Sequence, residues 1–459
     1  MWNDVGAEEG EAMMRATTCL VVAALLAGVP LRALANDTSR PSLTELVRER
    51  TGVTVGWPLN DRAEAQALLR DSLTADRAVR VALLNSRELR AAFGEVGITQ
   101  ADYRQALLPK NPQLEGEIRF GGGGRRPGEI IVMQDLTSLL LTPARRRASS
   151  SALRQSTLRA ADAATALVAE TRSAFYGVQA GNQVQGLWER AVEAAQAGAD
   201  LAQRQHAVGN ITDLDLENEQ AVYEQAKVEL ARSRTEALIA RERLNRAMGV
   251  WGERTAWVVA SELPGLPAEE APLDSVESAA VLQRLDLAAA EAEIQALARS
   301  VPLARFSQFP ELRAGAHFER EPEGTRTTGP AVELAFPLFD RGQAAVARAK
   351  AQIQQAEDRR DALAISIRSQ VRAARDRFSA ARQVVEYYHD VILPRRTRIV
   401  EQTQLQFNGM LVGVNQLIQA KQREISAQRE YIEAQREYWL ARTELDRALG
   451  ASIPGADGK

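Results

Sequence analysis

The residues with chemistry to offer are few and far apart. Histidine occurs three times in 459 residues, at His206, His317 and His389. A metal site draws His, Cys or carboxylate ligands together at helical or hairpin spacing. No two of these histidines stand so, and they read as surface or lumen residues. The single cysteine, Cys19, precedes an apolar run near the N-terminus. Gly121 to Gly124 is followed by neither a GK[ST] triplet nor a helix start, so these glycines make a loop tip and not a phosphate cradle. No Ser, His, Asp order stands above chance. The chain reads as not an enzyme, with no cofactor and no metal site.

Polar and apolar groups do gather at two breaks in the helical pattern. Gly209 and Asn210 interrupt the first, and Asn408 and Gly409 the second. Glycine at each break lets the backbone reverse. Val208 and Ile211 flank one turn, and Met410, Leu411 and Val412 the other. Asp213 and Asp215 follow the first turn, with Thr212 or Asp213 as the helix cap, and Asn415 and Gln416 follow the second. Ordinary helix-hairpin packing is the plain reading of both turns.

The elements that carry these groups occur twice. The stretch from Asn111 to Phe120 returns at Phe309 to Phe318, so that Pro112, Leu114 and Phe120 fall on Pro310, Leu312 and Phe318 at an offset of 198. Both alternate small or apolar residues with polar ones, the period of a strand with one apolar and one wet face. A second apolar run follows each, Ile130 to Met133 and Ala331 to Phe336. Helices are expected from Thr74 to Leu108 and from Val276 to Ser307. Thr142-Pro143 reads as a helix start with Pro at the first position. From Ala144 to Val208 no proline intervenes, roughly 95 Å of helix at ~1.5 Å per residue. A return helix runs to Met248 and ends at Gly249. In the second copy a long helix from Gln343 to Phe407 is followed by a return helix from Leu411 to Leu449, ended by Gly450. Residues 73–250 and 276–450 are thus two repeats, joined by a linker over 251–275 and followed by a tail over 451–459.

Composition agrees with long helices. Net charge is −3, which offers no basic field for nucleic acid. Residues 1–35 read as a secretion signal: Arg15, the apolar run from Cys19 to Leu31, and Ala33-Leu34-Ala35 as the cleavage site. Residues 36–72 are expected to form an N-terminal periplasmic segment. No later stretch is apolar enough to cross a membrane as a helix. Two strand pairs cannot close a barrel alone, and an open sheet edge cannot sit in lipid. A barrel shared between subunits resolves this, with a coiled-coil cylinder below it. A soluble helical scaffold with two hairpins is the alternative.

At this point the chain resembles the TolC-type outer-membrane efflux proteins, over essentially all of residues 70–450. The match is carried by Pro109-Lys110-Asn111-Pro112-Gln113-Leu114, by Phe309-Pro310-Glu311-Leu312 and by Phe336-Pro337-Leu338-Phe339-Asp340-Arg341-Gly342, together with the breaks near Gly209 and Gly409. Three stretches are most similar to the heavy-metal, CzcC and CusC, branch. They are Leu73 to Val79, Leu139 to Arg147 and Met410 to Leu417.

The resemblance implies a mainly α fold with a small β part: duplicated helical hairpins plus two β-hairpins contributing to a homotrimeric, twelve-stranded transmembrane barrel. It implies an outer-membrane conduit with a large periplasmic portion, a periplasmic adaptor (membrane fusion protein) and an inner-membrane pump of the RND type as partners, and outer-membrane lipid around the strands. The expected cargo is small solutes, heavy-metal cations first, with drug efflux and type I protein secretion as alternatives. The helix tips Gly209, Asn210, Ile211, Gly409, Met410, Leu411 and Val412 would meet the adaptor. Asp213, Asp215, Asn415 and Gln416 would form a periplasmic gate, although Asn415 and Gln416 stand where the family often has carboxylates. Leu114, Ile118, Phe120, Leu312 and Phe318 would face lipid, and Glu115, Glu117, Arg119, Arg313 and His317 the pore.

Overall fold

A computed structural model describes residues 43–53, 62–120, 127–268, 270, 273, 276–321 and 323–451. The expected signal segment 1–35, the glycine run Gly121 to Gly124 and the tail beyond Ala451 lie outside the described residues. The expected duplication is present: two shorter helices, two strands, a long helix and a return helix, then the same order again. The chain divides into two compact units. One gathers Glu95–Thr157 and Ala288–Asp361, the other Ser42–Gly94, Leu158–Leu287 and Ala362–Lys459.

The first unit holds the strands. β1 (Gln113–Ile118), β2 (Gly128–Asp135), β3 (Glu311–Arg320) and β4 (Arg326–Ala335) form one antiparallel sheet in the order β1-β2-β3-β4. The two hairpins are therefore joined, through eight paired positions between β2 and β3, from Gly128↔Arg320 to Asp135↔Arg313. Strand period then sorts the side chains. One face carries Leu114 and Ile118, Ile130 and Val132, Leu312 and Phe318, Val332 and Leu334. The other carries Glu115, Glu117, Glu129, Arg313, His317, Glu319 and Glu333. Pro330 lies in β4 opposite Ala316. A Cβ on Gly315 would sit 1.7 Å from the Val132 carbonyl oxygen, so the backbones of β2 and β3 meet there too closely for any side chain.

Thr142-Pro143 does not begin a helix. The long helix α5 (Leu136–Ala207) starts seven residues before Pro143 and contains it. Asp135 caps it, accepting the Ser138 N–H at 2.8 Å. Side chains hold the turn ahead of the proline: Thr142 Oγ1 and Arg145 Nη2 both donate to the Ser138 carbonyl. Lys110 fixes the cap from outside, 2.9 Å from Asp135 Oδ2.

α1 (Leu43–Thr51) and α2 (Arg62–Leu68) precede two helices where the sequence pattern predicts one. These are α3 (Ala75–Asn85) and α4 (Arg87–Leu107), separated at Ser86. The second repeat breaks at the matching place, between α7 (Val276–Gln283) and α8 (Leu285–Phe306). The cause is the same in both. The return helix α6 (Asp213–Met248) ends at left-handed Gly249, which packs against Asn85; the last helix α11 (Val414–Leu449) ends at left-handed Gly450, which packs against Gln283 and Arg284. An unbroken helix would leave those caps no seat. Ser86 uses the break, its Oγ accepting the Leu89 N–H to start the next helix.

The second long helix is also interrupted. α9 (Gln343–Tyr387) passes through a π turn, Tyr388–Ile392, into α10 (Leu393–Asn408). Pro394 explains it. A proline in a regular helix lacks the N–H for the carbonyl four residues back and collides with it. The wider turn, closed by Leu393 N–H to the Tyr388 carbonyl, gives that carbonyl room.

The stretch between repeats is a clasp more than a linker. Trp257 is fully buried with Leu73, Ala78, Phe175, Leu244 and Met248, donating from Nε1 to Asn245 Oδ1 at 2.8 Å. Arg241 lies over its ring at 3.8 Å and donates to the carbonyls of Thr255 and Trp257. Further on, Glu270 accepts both Tyr438 and Arg442, and pairs with Arg382 at 3.1 Å. Removing one member of such a buried ion pair costs ~3–5 kcal/mol.

Candidate functional site

The two helix turns lie in the same unit, and their backbones close alike. In the first, Gly209 N–H reaches the His206 carbonyl and Asn210 N–H the Gln205 carbonyl, at 2.8 and 2.9 Å; in the second, Met410 N–H reaches Phe407 and Leu411 N–H reaches Gln406, both at 2.9 Å. This is the Schellman ending, with one left-handed residue after the helix. That residue is Gly209 (φ +75°) in the first turn and Met410 (φ +58°) in the second. Gly409 is not the reversing residue: its φ is −81°. Met410 is the counterpart of Gly209, and a side chain in that conformation costs ~1–2 kcal/mol.

The turns also differ at the start of their return helices. Thr212 caps α6 through a reciprocal capping box, its Oγ1 accepting the Asp215 N–H while Asp215 Oδ2 accepts the Thr212 N–H. The N-cap is therefore Thr212 and not Asp213. α11 starts at Gly413 with no side-chain cap. The first turn is fixed by its own polar groups, and the second is strained and uncapped. Val208, Leu214, Met410 and Leu411 are exposed at the tips, Met410 to 94 %, while Ile211 and Val412 are half-buried. Leu214 joins the apolar tip without having been singled out from the sequence.

Of the four gate candidates, two meet. Asn415 Nδ2 donates to Asp215 Oδ1 at 3.3 Å, linking α6 to α11 across 200 residues of sequence. Asp213 instead pairs with His206, Nε2 to Oδ1 at 2.6 Å, and stands exposed. Gln416 is exposed, its N–H closing on the Gly413 carbonyl.

On the sheet, Leu114, Ile118 and Phe120 are exposed and Leu312 and Phe318 half-exposed, all on one face. Ile130, Val332 and Leu334 extend that face, and Phe309, Phe336, Leu338 and Phe339 form an exposed apolar group at its helix end. The opposite face is charged. Glu117, Glu129 and Glu319 are direct cross-strand partners in one row. Arg119 lies 3.0 Å from Glu117 and 3.8 Å from Glu129, and His317 Nε2 lies 3.0 Å from Glu129 Oε1. Arg313 spans Glu311, Glu333 and Gln113.

The third histidine, His389, sits 2.7 Å from Asp390. Among the described residues no group of three or more His, Cys, Asp or Glu is placed to hold a metal ion, and no helix is long and apolar enough to cross a membrane. A groove of about 900 Å³ runs between α5, α6 and α11, its rim alternating Glu229, Arg232, Glu236 and Arg243 with Glu433 and Arg436. Burial, with Asp286 nearby, raises the Asp162 pKa against the pull of Arg284 and Arg447.

The described residues thus form duplicated helical hairpins carrying one antiparallel sheet, apolar on one face and charged on the other. The outer membrane efflux protein family model matches residues 134–250 and 276–451, and the chain belongs to that family. It is a family of outer-membrane efflux channels, not of enzymes. The chain is 23% identical over 386 residues to the cobalt-zinc-cadmium resistance protein CzcC of Cupriavidus metallidurans, covering 82% of this chain and 90% of that one. Among solved structures, a membrane protein from Pseudomonas aeruginosa superposes with a TM-score of 0.71 at 19% identity, covering 86% of this chain and 97% of the other. The transmembrane channel CusC does so with a TM-score of 0.68 at 17% identity, covering 82% and 92%. These likenesses establish the fold.

Proposed function

We propose that the chain is the passive outer-membrane conduit of a tripartite efflux system and works as a homotrimer. The observation that carries this reading is the sheet: an apolar face and two edges, β1 and β4, with no partner strand among the described residues. An unpaired edge is untenable in hydrocarbon, where each orphaned backbone group costs several kcal/mol. β1 of one copy pairing with β4 of the next, three times over, removes every edge and gives about twelve strands from four per chain. Cross-linking of cysteines placed at Gln113 and Ala335 tests it. Trimer-sized products from outer membranes support the reading, and an exclusively monomeric chain overturns it.

The conduit carries heavy-metal cations in this reading. Two observations support it: the relative named for cobalt, zinc and cadmium resistance, and the carboxylate row Glu117, Glu129 and Glu319 on the charged face. A ring of such rows attracts cations without binding them tightly. Deleting the gene in its host should lower tolerance to divalent metals and leave tolerance to organic drugs unchanged. The reverse pattern would favour drug efflux.

The tips serve as docking and gating surface. Met410, Leu411, Val208 and Leu214 offer an apolar patch to the adaptor of an RND-type pump, with Gly209, Asn210, Ile211, Gly409 and Val412 shaping the turns. The Asp215–Asn415 bond holds neighbouring return helices together until docking separates them. Asp213 and Gln416 flank that bond at the mouth.

A further inference from the structure

The outward face of the sheet does not end in apolar residues. β3 closes with Arg320 and β4 opens with Arg326, and the two are direct cross-strand partners one step beyond Phe318↔Thr328. By alternation both lie on the face that carries Leu312, Phe318, Val332 and Leu334. Like charges placed directly opposite each other weaken a strand pair. Here nothing relieves them. Among the described residues neither guanidinium forms an ion pair or hydrogen bond, and Arg320 Nε is enclosed without a partner. Glu321 and Glu323, in the adjoining turn, pair with neither. The other hairpin supplies no acid on this face: the sequence from Ile118 to Gly128 contains no Asp or Glu, and Glu117 and Glu129 lie on the opposite face. Nor would a neighbouring copy: the same face of β1 presents Leu114, Gly116 and Ile118.

Position along the strands indicates what does relieve them. Leu312 and Phe318 are six residues apart, about 20 Å at ~3.4 Å per residue. The exposed aromatics Phe309, Phe336 and Phe339 mark the helix end of this band, and the arginine pair marks the hairpin end. With the helices in the periplasm, the hairpin end is the outer one. Two guanidiniums side by side at that level match a doubly charged phosphate monoester, which each can grip with two parallel N–H donors.

We infer that Arg320 and Arg326 form a binding site for the phosphate group of an outer-leaflet glycolipid headgroup. The inference rests on the proposed reading of this face as a barrel's lipid-facing wall. It assigns that wall a specific lipid partner beyond its general apolar fit.

The test uses the full chain purified from outer membranes in mild detergent, probed with bisphosphorylated lipid A and with the same lipid dephosphorylated. Wild type should retain the phosphorylated lipid about tenfold or more above the dephosphorylated one. R320Q/R326Q should lose that preference, and R326Q alone should lose part of it, while both still fractionate with the outer membrane. R320K/R326K, with charge but no fork, should retain an intermediate preference. Equal retention of the two lipids by wild type overturns the proposal whether or not any variant folds. So does displacement of the lipid by millimolar inorganic phosphate, which would mark a general anion patch. A chain absent from the outer membrane would instead overturn the barrel reading, so the two failures are separable.

Discussion

Asn415 and Asp215 are 200 residues apart, yet the amide of one donates to the carboxylate of the other at 3.3 Å, joining the starts of the two return helices. Asp215 gives its second oxygen to the capping box of its own helix. The contact is therefore anchored on one side and free on the other.

Asn415→Ala removes this contact and leaves the Thr212 cap intact. A hydrogen bond to a charged group contributes ~1.5–3 kcal/mol. The closed state should be weakened by about tenfold or more, and single-channel recordings should show larger or more frequent openings. Unchanged recordings would remove the bond from any gating role.

At the reversing positions, exchange should act in opposite directions. Gly209→Ala forces a Cβ into the left-handed region and should destabilise the first tip by ~1–2 kcal/mol. Met410→Gly relieves the same strain, so amide exchange at the start of α11 should slow. It also removes the most exposed apolar side chain of the tip, and efflux-dependent tolerance should fall although the tip is steadier.

Gly315→Ala should abolish β2–β3 pairing, because no rotamer change moves a Cβ away from the Val132 carbonyl. Outer-membrane insertion should be lost while circular dichroism still reports the helices. Normal insertion would mean that the strands can separate at this point.

Glu270→Ala leaves Arg442, whose side chain is 2 % exposed, without its counter-charge. The cost should be ~3–5 kcal/mol, read as a fall in the denaturation midpoint. Replacing Glu270, Arg442 and Arg382 together by apolar residues should recover much of it.

Asp162 carries a raised pKa, from burial first and Asp286 second. Folding therefore binds its proton more tightly than the unfolded chain does. The stability tied to that proton is complete below the ordinary carboxylate pKa and is lost as pH rises through the folded value. Asp162→Asn should stabilise the protein at pH 7 and make no difference near pH 3. Equal effects at both would assign the change to packing.

The repeat, the strands and the places where the long helices turn were all legible in the sequence, because period and punctuation are local. Leu114 and Ile118 alternate with glutamates, and Gly249 and Gly450 end helices with the same residue. What escaped depends on contacts between distant residues. Gly409 draws attention as a breaker, yet its neighbour Met410 takes the left-handed conformation, since the Schellman bonds count from the end of α10. The helix breaks at Ser86 and Arg284 carry no proline or glycine; they are made by caps arriving from more than 160 residues away. Pro143 has the look of a helix start, but Asp135 had already supplied the cap. The sheet's registration of β2 with β3, and the Asp215–Asn415 bond, leave no local trace at all.

The π turn at Tyr388–Ile392 has an effect beyond making room for Pro394. A wide turn holds one residue more than a regular one, and each residue of helix turns the chain by about 100°. Everything beyond Ile392 is thus rotated relative to the helix before it. The compass bearing of Met410 and Leu411 is set upstream, by how much chain the π turn takes up. A single-residue deletion there would leave the tip's composition intact and swing its apolar side to a different quarter.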